Sequence, residues 1–168
     1  MQKEMPKLQE KDWPEIRKIK ASNNTGWRYF ENLVKAMHKN LGEEKTCEIL
    51  SDFMKENAKK FVKPAMKSFG ITGNDAWSLA SYFKLATGDI IGYKVELERM
   101  SPKKVAYRLF SPCLWFPDLD IPHTFCEAMA SFEETAAELV NPKIKVSHGR
   151  LMTAGDTCCE IFFEEMDV

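Results

Sequence analysis

The sequence predicts an α+β domain in which helices cover one face of a four-stranded antiparallel sheet. Two observations support this prediction. Apolar residues recur at helical spacing over the N-terminal half, and they then alternate with polar residues near 91–109 and 143–163. Turn residues divide each alternating stretch, so each predicts a β-hairpin, and a helical stretch separates the two. The predicted order is therefore N-terminal helices, hairpin, helix, hairpin.

The composition is that of an ordinary globular domain. The 168 residues are 44% hydrophobic and carry a net charge of −1, and the balanced charge argues against a general nucleic-acid-binding protein. The sequence lacks an apolar run of the ~20 residues that a membrane span requires. Its polar N-terminus does not resemble a secretory signal. We expect a cytoplasmic protein, with a flexible tail over residues 1–11 and a single domain over residues 12–168.

Four helical stretches precede the first hairpin, and local signals indicate where they begin and end. Asp12 and Asn74 are N-cap candidates for the first and the fourth. The Ser22-Asn23-Asn24 run is expected to interrupt or recap the first, and Gly42 is expected to end the second. The third begins near Glu43, and Pro64 is expected to bend or end it. The fourth is expected to close at Gly88.

The first hairpin is followed by a loop and a last helix. Its strands alternate over 91–97 and 105–109, with a turn at 101–104. The Pro-rich segment after them contains Trp115 and Phe116 and is expected to be a loop with aromatic cover. An apolar stripe then predicts a helix over 122–140, in which Glu133 and Glu134 are expected to form a solvated face.

The second hairpin carries polar residues on a predicted inward face. Alternation over 143–153 puts His148 and Arg150 on the side of Ile144 and Val146, and a GDTC turn leads into the return strand. A polar pair on an otherwise apolar face suits a ligand pocket. The alternative is that the strand end is solvated there, since long cationic side chains reach out to water.

Four of the five cysteines, together with one histidine, provide the strongest candidates for chemistry. The odd cysteine count and the absence of a CxxC pair argue against a disulfide framework or a zinc ribbon. The candidate group, which converges if the hairpins are neighbours in the sheet, is Cys113, His123, Cys126, Cys158 and Cys159. Three interpretations stay open: a zinc or iron site held by Cys113, His123, Cys126 and Cys158, a reactive thiolate such as Cys126 at a helix start, and buried core residues.

A second candidate group is Arg150, His148 and Asp156. An arginine can bind a carboxylate through two hydrogen bonds, and a histidine can act as a base near neutral pH. Asp156 is explained by the turn in which it lies. The sequence contains no GxSxG, P-loop, GxGxxG or HExxH motif, so the common serine-hydrolase, nucleotide-binding and zincin classes lack local support.

Several short motifs carry a family resemblance. They are Cys113 in SPC, the Asn141-Pro142 pair that opens a strand, Arg150, and the GDTCC turn at 155–159. With these motifs the C-terminal half resembles the L-2-amino-thiazoline-4-carboxylic acid hydrolase-like family. The helical half, with LGEEKTCEIL and ITGNDAWSLA, is similar to uncharacterised members of that group. The wider resemblance is to 4-vinyl reductase-like domains, which share the fold of ligand-binding proteins in nitric-oxide signalling and Golgi transport.

The resemblance implies a small-molecule pocket between sheet and helices. For the named family it also implies an enzyme that opens a thiazoline ring by adding water. On that reading Cys113 or Cys159 is the nucleophile, His123 or His148 the acid or base, and Arg150 the anchor of the substrate carboxylate. This hydrolase is our first hypothesis.

Two alternatives from other functional classes stay open. The first is a non-enzymatic binding module that holds a hydrophobic or metal-bearing ligand in a pocket lined by Trp115, Phe116, Met129 and Phe132. The second is a structural protein that forms a homodimer through Trp13, Trp27 and Phe30 of its N-terminal helices.

Overall fold

Helices cover one face of a four-stranded antiparallel sheet in the computed structural model, which describes residue 11 and residues 14–167. The helices and strands in chain order are α1 (Glu15–Leu41), α2 (Glu43–Ser68), α3 (Ala76–Phe83), β1 (Val95–Ser101), β2 (Lys104–Phe110), α4 (Thr124–Met129), α5 (Ser131–Val140), β3 (Ile144–His148) and β4 (Cys158–Glu165). A π-helical turn over Lys84–Ile90 continues α3. The predicted fold class is confirmed. The predicted tail, the Asp12 cap and Trp13 lie outside the described residues, apart from residue 11.

The two hairpins are neighbours, because the strand order is β1-β2-β4-β3 with every adjacent pair antiparallel. Tyr107 of β2 and His148 of β3 both lie opposite Ile161 of β4, and Leu109 lies opposite Cys159. The C-terminal ends of β2 and β3 therefore lie beside the N-terminal end of β4, at one end of the sheet. Residues far apart in sequence are brought together there.

The N-terminal helices extend through two predicted breaks. α1 continues across 22–24, because the cost of a few exposed polar residues is only tenths of a kcal/mol each. α2 passes Pro64 and ends at Ser68. The proline lies on the exposed side, while a buried row at four-residue spacing continues to Met66. Tertiary packing of that row outweighs the hydrogen bond that proline removes.

Other predicted boundaries shift by a few residues. Gly42 ends α1 with φ of 80°, as predicted. Asp75, not Asn74, caps α3, since its carboxylate accepts a hydrogen bond from the Ser78 amide at 2.7 Å. The helix predicted over 122–140 is divided into α4 and α5 at Ala130. Within the described range, no helix has the length and apolar character to cross a membrane.

The strand predicted over 143–153 is shorter than expected. β3 ends at His148, and a 3₁₀ turn over Met152–Ala154 precedes the left-handed Gly155. The chain passes β4 closely at Gly149, where a Cβ atom would lie only 2.7 Å from a Glu160 carboxylate oxygen. A larger residue here would have to displace the Glu160 carboxylate and the Phe162 ring. Beyond it, side chains no longer alternate as in a regular strand.

Candidate ligand-binding cavity

A cavity of about 200 Å³ lies between the sheet and the helices. Its walls come from α1, the end of α3 and its π-helical turn, β2, the loop after β2, the α4–α5 segment, and the ends of β3 and β4. Most of the lining is apolar, and its large side chains include Trp27, Phe83, Tyr107, Trp115, Phe132 and Ile161. For comparison, an engineered cavity of about 150 Å³ in another protein binds benzene. The space therefore suits a compound with one ring.

The π-helical turn forms part of this wall. It contributes Ala86 and the buried Thr87, and the Thr87 side chain lowers the pKa of the Tyr107 hydroxyl on β2, against the larger effect of burial. π-helical turns often occur at functional sites. Thr87 and Tyr107 thus place two hydroxyl groups in an otherwise apolar wall.

The side chains of three cysteines line the cavity. They belong to Cys113 after β2, Cys126 on α4 and Cys159 on β4. Burial raises the pKa of each, to about 12 for Cys126 and about 11 for Cys159. The Thr153 hydroxyl donates to the Cys126 sulfur at 3.1 Å, and the Met152 amide donates to the Cys159 sulfur at 3.5 Å.

These thiols are protonated at neutral pH, because their pKa values lie well above it. The thiolate, not the thiol, is the nucleophile. The raised pKa of Cys126 therefore argues against the hypothesis of a thiolate with a lowered pKa at a helix start. α4 has only six residues, and loss of hydration is the largest cause of the raised pKa.

Glu133 also lines the cavity, contrary to the predicted solvated face. It lies in the first turn of α5, and burial raises its pKa from an ordinary 4.5 to about 7. The residue keeps part of its accessible surface, which is consistent with a carboxyl group that borders an open cavity. Glu134, next in sequence, is exposed as predicted. Glu133 is thus a polar group on the buried side of α5.

His148 lies at the mouth of the cavity. As a residue it is exposed, yet it lines the cavity at the end of β3, and loss of hydration lowers its pKa. A neutral imidazole can donate one hydrogen bond and accept another. His148 is the one predicted acid or base that lines this cavity.

Arg150 lies outside the cavity. Its guanidinium pairs with the Glu160 carboxylate at 2.9 Å, and Arg108 of β2 pairs with the same carboxylate. Glu160 alternates with the cavity-lining Cys159 and Ile161, so it belongs to the opposite face of the sheet. The predicted same-face placement of His148 and Arg150 is therefore wrong, because β3 ends between them.

The predicted metal ligands are not assembled. Cys113 and Cys126 line the cavity, but His123 at the start of α4 and the buried Cys158 do not. Cys158 is next to Cys159 in a strand and so lies on the other face. In the part of the chain that the structure describes, no three His, Cys, Asp or Glu residues could hold a metal ion together.

Trp115 and Phe116, both predicted to line the pocket, lie in different environments. Trp115 lines the cavity and contacts Trp27 edge to face, with ring centroids 4.8 Å apart. Phe116 is fully buried beside Phe30 and lies outside the lining. Trp27 and Phe30 therefore contact residues of their own chain. The homodimer through this helix stays a prediction.

Sequence reasoning missed Glu133, although a signal was present. Met129, Glu133 and Ala137 are spaced by four residues, so they share one side of a helix. Met129 and Ala137 are buried. Acidic residues are common in helices, but a glutamate between two apolar residues of one helix side is unusual. That position was the signal that Glu133 lies on the buried side.

Comparisons with known proteins support the fold. No protein-family model matches the sequence, and no curated protein matches it. Solved structures similar in fold include the following three. A trafficking protein particle complex subunit 3 from Naegleria fowleri, covalently bound to palmitic acid, has a TM-score of 0.66 at 13% identity, over 88% of this chain and 97% of that one. The phenol-responsive sensory domain of the transcription activator PoxR, with phenol, has a TM-score of 0.60 at 11% identity, over 83% and 74%.

The third is an H-NOX domain from Shewanella oneidensis in the Fe(II)CO state, with a TM-score of 0.54 at 15% identity, over 82% and 74% of the two chains. This chain therefore shares an α+β fold that occurs in ligand-binding and sensory domains. The expected fold, which occurs in ligand-binding proteins, is confirmed, whereas the relationship to 4-vinyl reductase-like domains stays a prediction. The thiazoline hydrolase-like family itself is not shown by these similarities.

Proposed function

We propose that this protein is a small-molecule-binding domain that holds a largely apolar, single-ring ligand between its sheet and its helices. The observation that carries the proposal is the cavity of about 200 Å³ with mainly apolar walls and a few polar groups. Such cavities are the usual form of small-molecule sites. The fold adds support, since two of the similar structures contain palmitic acid and phenol.

Support for the hydrolase hypothesis is weaker. A ring-opening enzyme of the proposed kind needs a nucleophile and an anchor for the substrate carboxylate. The thiols of Cys113 and Cys159 are held in their neutral form by burial, and Arg150 is paired with Glu160 on the other face. The binding-module hypothesis needs neither group.

The experiment is a titration of the purified protein with toluene, benzyl alcohol and other single-ring compounds. Tryptophan fluorescence reports on the cavity directly, because Trp27 and Trp115 are in its wall. Thermal unfolding provides an independent measurement, since a ligand at 100 times its Kd stabilises the folded state by about 2.7 kcal/mol. We expect at least one compound to change both signals with the same Kd.

A matched pair of variants tests the location. Ala130→Leu adds three carbon atoms inside the cavity and is expected to abolish binding. Ala128→Leu makes the same change two residues away, outside the cavity lining, and is expected to retain binding. The proposal fails if no compound binds, or if the two variants bind equally well.

A further inference from the structure

The described residues that line the cavity carry fixed charge of one sign only. Among the described residues that line it, Glu133 is the acidic one, and none is a lysine or an arginine. His148 is at the mouth, and its lowered pKa favours the uncharged ring. A ligand with a carboxylate would therefore enter a cavity without a fixed positive charge. Burial of an unpaired anion is strongly unfavourable.

The Glu133 carboxylate has no cationic partner in the described part of the chain. Its own backbone amide is the hydrogen-bond donor close to it. The arginines of the sheet, Arg108 and Arg150, are both paired with Glu160 on the opposite face. The acceptor capacity of Glu133 is thus left for a group that enters the cavity.

Aromatic residues line the same cavity as this carboxylate. Tyr82 and Tyr107 are close enough to Glu133 for its charge to raise their pKa values further, and Phe132 precedes it on the same helix turn. Aromatic faces attract cations, and the attraction grows when the site excludes water. A carboxylate together with aromatic walls provides two independent attractions for one positive charge.

From this geometry we infer that the ligand is a small hydrophobic amine, whose protonated nitrogen binds the Glu133 carboxylate while its ring fills the apolar part of the cavity. The inference rests on the proposed function and adds the chemical class of the ligand. A neutral donor such as a hydroxyl group can use the same acceptor, but without the ionic contribution. An anionic ligand is disfavoured.

The test is isothermal titration calorimetry with four compounds of nearly equal size: benzylamine, benzyl alcohol, toluene and benzoate. The buffer is held near pH 8, where the amine is protonated and most Glu133 is ionised. Hydrogen bonds to charged groups contribute more than neutral ones, so we expect benzylamine to bind roughly 10- to 100-fold more tightly than toluene. Benzoate is expected to bind most weakly.

Two variants assign the effect to one carboxylate. Glu133→Gln is expected to reduce the ratio of benzylamine affinity to toluene affinity by roughly 10-fold or more. Glu138→Gln removes the same charge from an exposed position of the same helix, outside the cavity lining, and is expected to leave the ratio unchanged.

The outcomes separate the inference from the proposed function. Equal affinities for benzylamine and toluene, or a ratio that Glu133→Gln does not change, overturn the inference while ring binding itself stands. Tightest binding of benzoate also overturns it. If none of the four compounds binds, the proposed function fails together with the inference.

Discussion

Replacement of Glu133 by glutamine should raise the unfolding free energy above that of the wild type at high pH. At low pH this gain in stability should be much smaller. The carboxyl group has a pKa of about 7 in the folded protein, because burial disfavours its charged form, against about 4.5 in an unfolded chain. The folded state therefore holds a proton on this group that the unfolded state releases. Glutamine has similar size and no charge, so it removes this dependence on pH.

The direction follows from proton binding. Below about pH 4.5 the carboxyl group is protonated in both states, and it adds no dependence on pH. Between about pH 4.5 and 7 the folded state binds more protons than the unfolded state, so the stability of the wild type falls as the pH rises. Above about pH 7 the loss is complete. Each pKa unit corresponds to about 1.4 kcal/mol, so the interval from about 4.5 to about 7 gives a total of at most about 3.5 kcal/mol.

Neighbouring groups do not change this sign. The titratable groups of other elements that share the cavity lining with Glu133 are Tyr82, Tyr107, Cys113, Cys126, His148 and Cys159. Burial raises the pKa values of the tyrosines and cysteines, which therefore stay neutral throughout the window. The charges that act on the pKa of His148 are those of Glu134 and Glu127, so its titration cancels in the difference between the two proteins.

The assay is urea unfolding of the wild type and Glu133→Gln at several pH values from about 4 to about 8. The difference in unfolding free energy should grow by up to about 3.5 kcal/mol over this range and then level off. Glu138→Gln is the control, since that side chain is exposed on the same helix and lies outside the cavity lining, and its difference should stay nearly constant. Parallel curves for wild type and Glu133→Gln would refute the reasoning.

Three further predictions concern other parts of the molecule. Arg150→Ala should change the unfolding free energy little and leave ligand affinity unchanged, because Arg150 is exposed and its partner Glu160 keeps Arg108; a large loss of affinity would restore it as an anchor. Phe163→Ala should cost roughly 3–5 kcal/mol by urea unfolding, because Phe163 is fully buried and stacked on Phe83; a cost below about 1 kcal/mol would contradict the described core. Alkylation of Cys126 near pH 8, followed by mass spectrometry, should be at least about 100-fold slower in the folded than in the unfolded protein, and rapid labelling of the folded protein would show a reactive thiolate.

The α+β class could be predicted because periodicity reports local geometry directly. Apolar residues at helical spacing before residue 90 and alternation after it lead to the observed order of helices and hairpins. Local sequence signals predicted a helix end at Gly42 and a turn at Gly155 correctly, because backbone conformation alone determines these two features. They failed at Pro64, because packing of the buried row of α2 is worth more than the backbone hydrogen bond lost there.

The site was predicted in part. Cys113, Cys126, Cys159 and His148 do line one cavity, whereas Arg150, His123 and Cys158 do not. Arg150 was misplaced because alternation holds only while the strand lasts, and β3 ends at His148. The chemistry of the thiols also differs from the expectation. Their pKa values depend on burial by other elements, which no local pattern records.

Sequence alone determined the fold class of this protein, the two hairpins, and which residue types were available for chemistry, since these follow from contacts within a few residues. Tertiary structure decided which groups share the cavity and in what state. The strand order β1-β2-β4-β3 joins Leu109, Cys159 and His148 at one end of the sheet, and the packing of α5 against it buries Glu133. Hydration, and with it the charge of a carboxyl group or a thiol, depends on everything that surrounds the side chain.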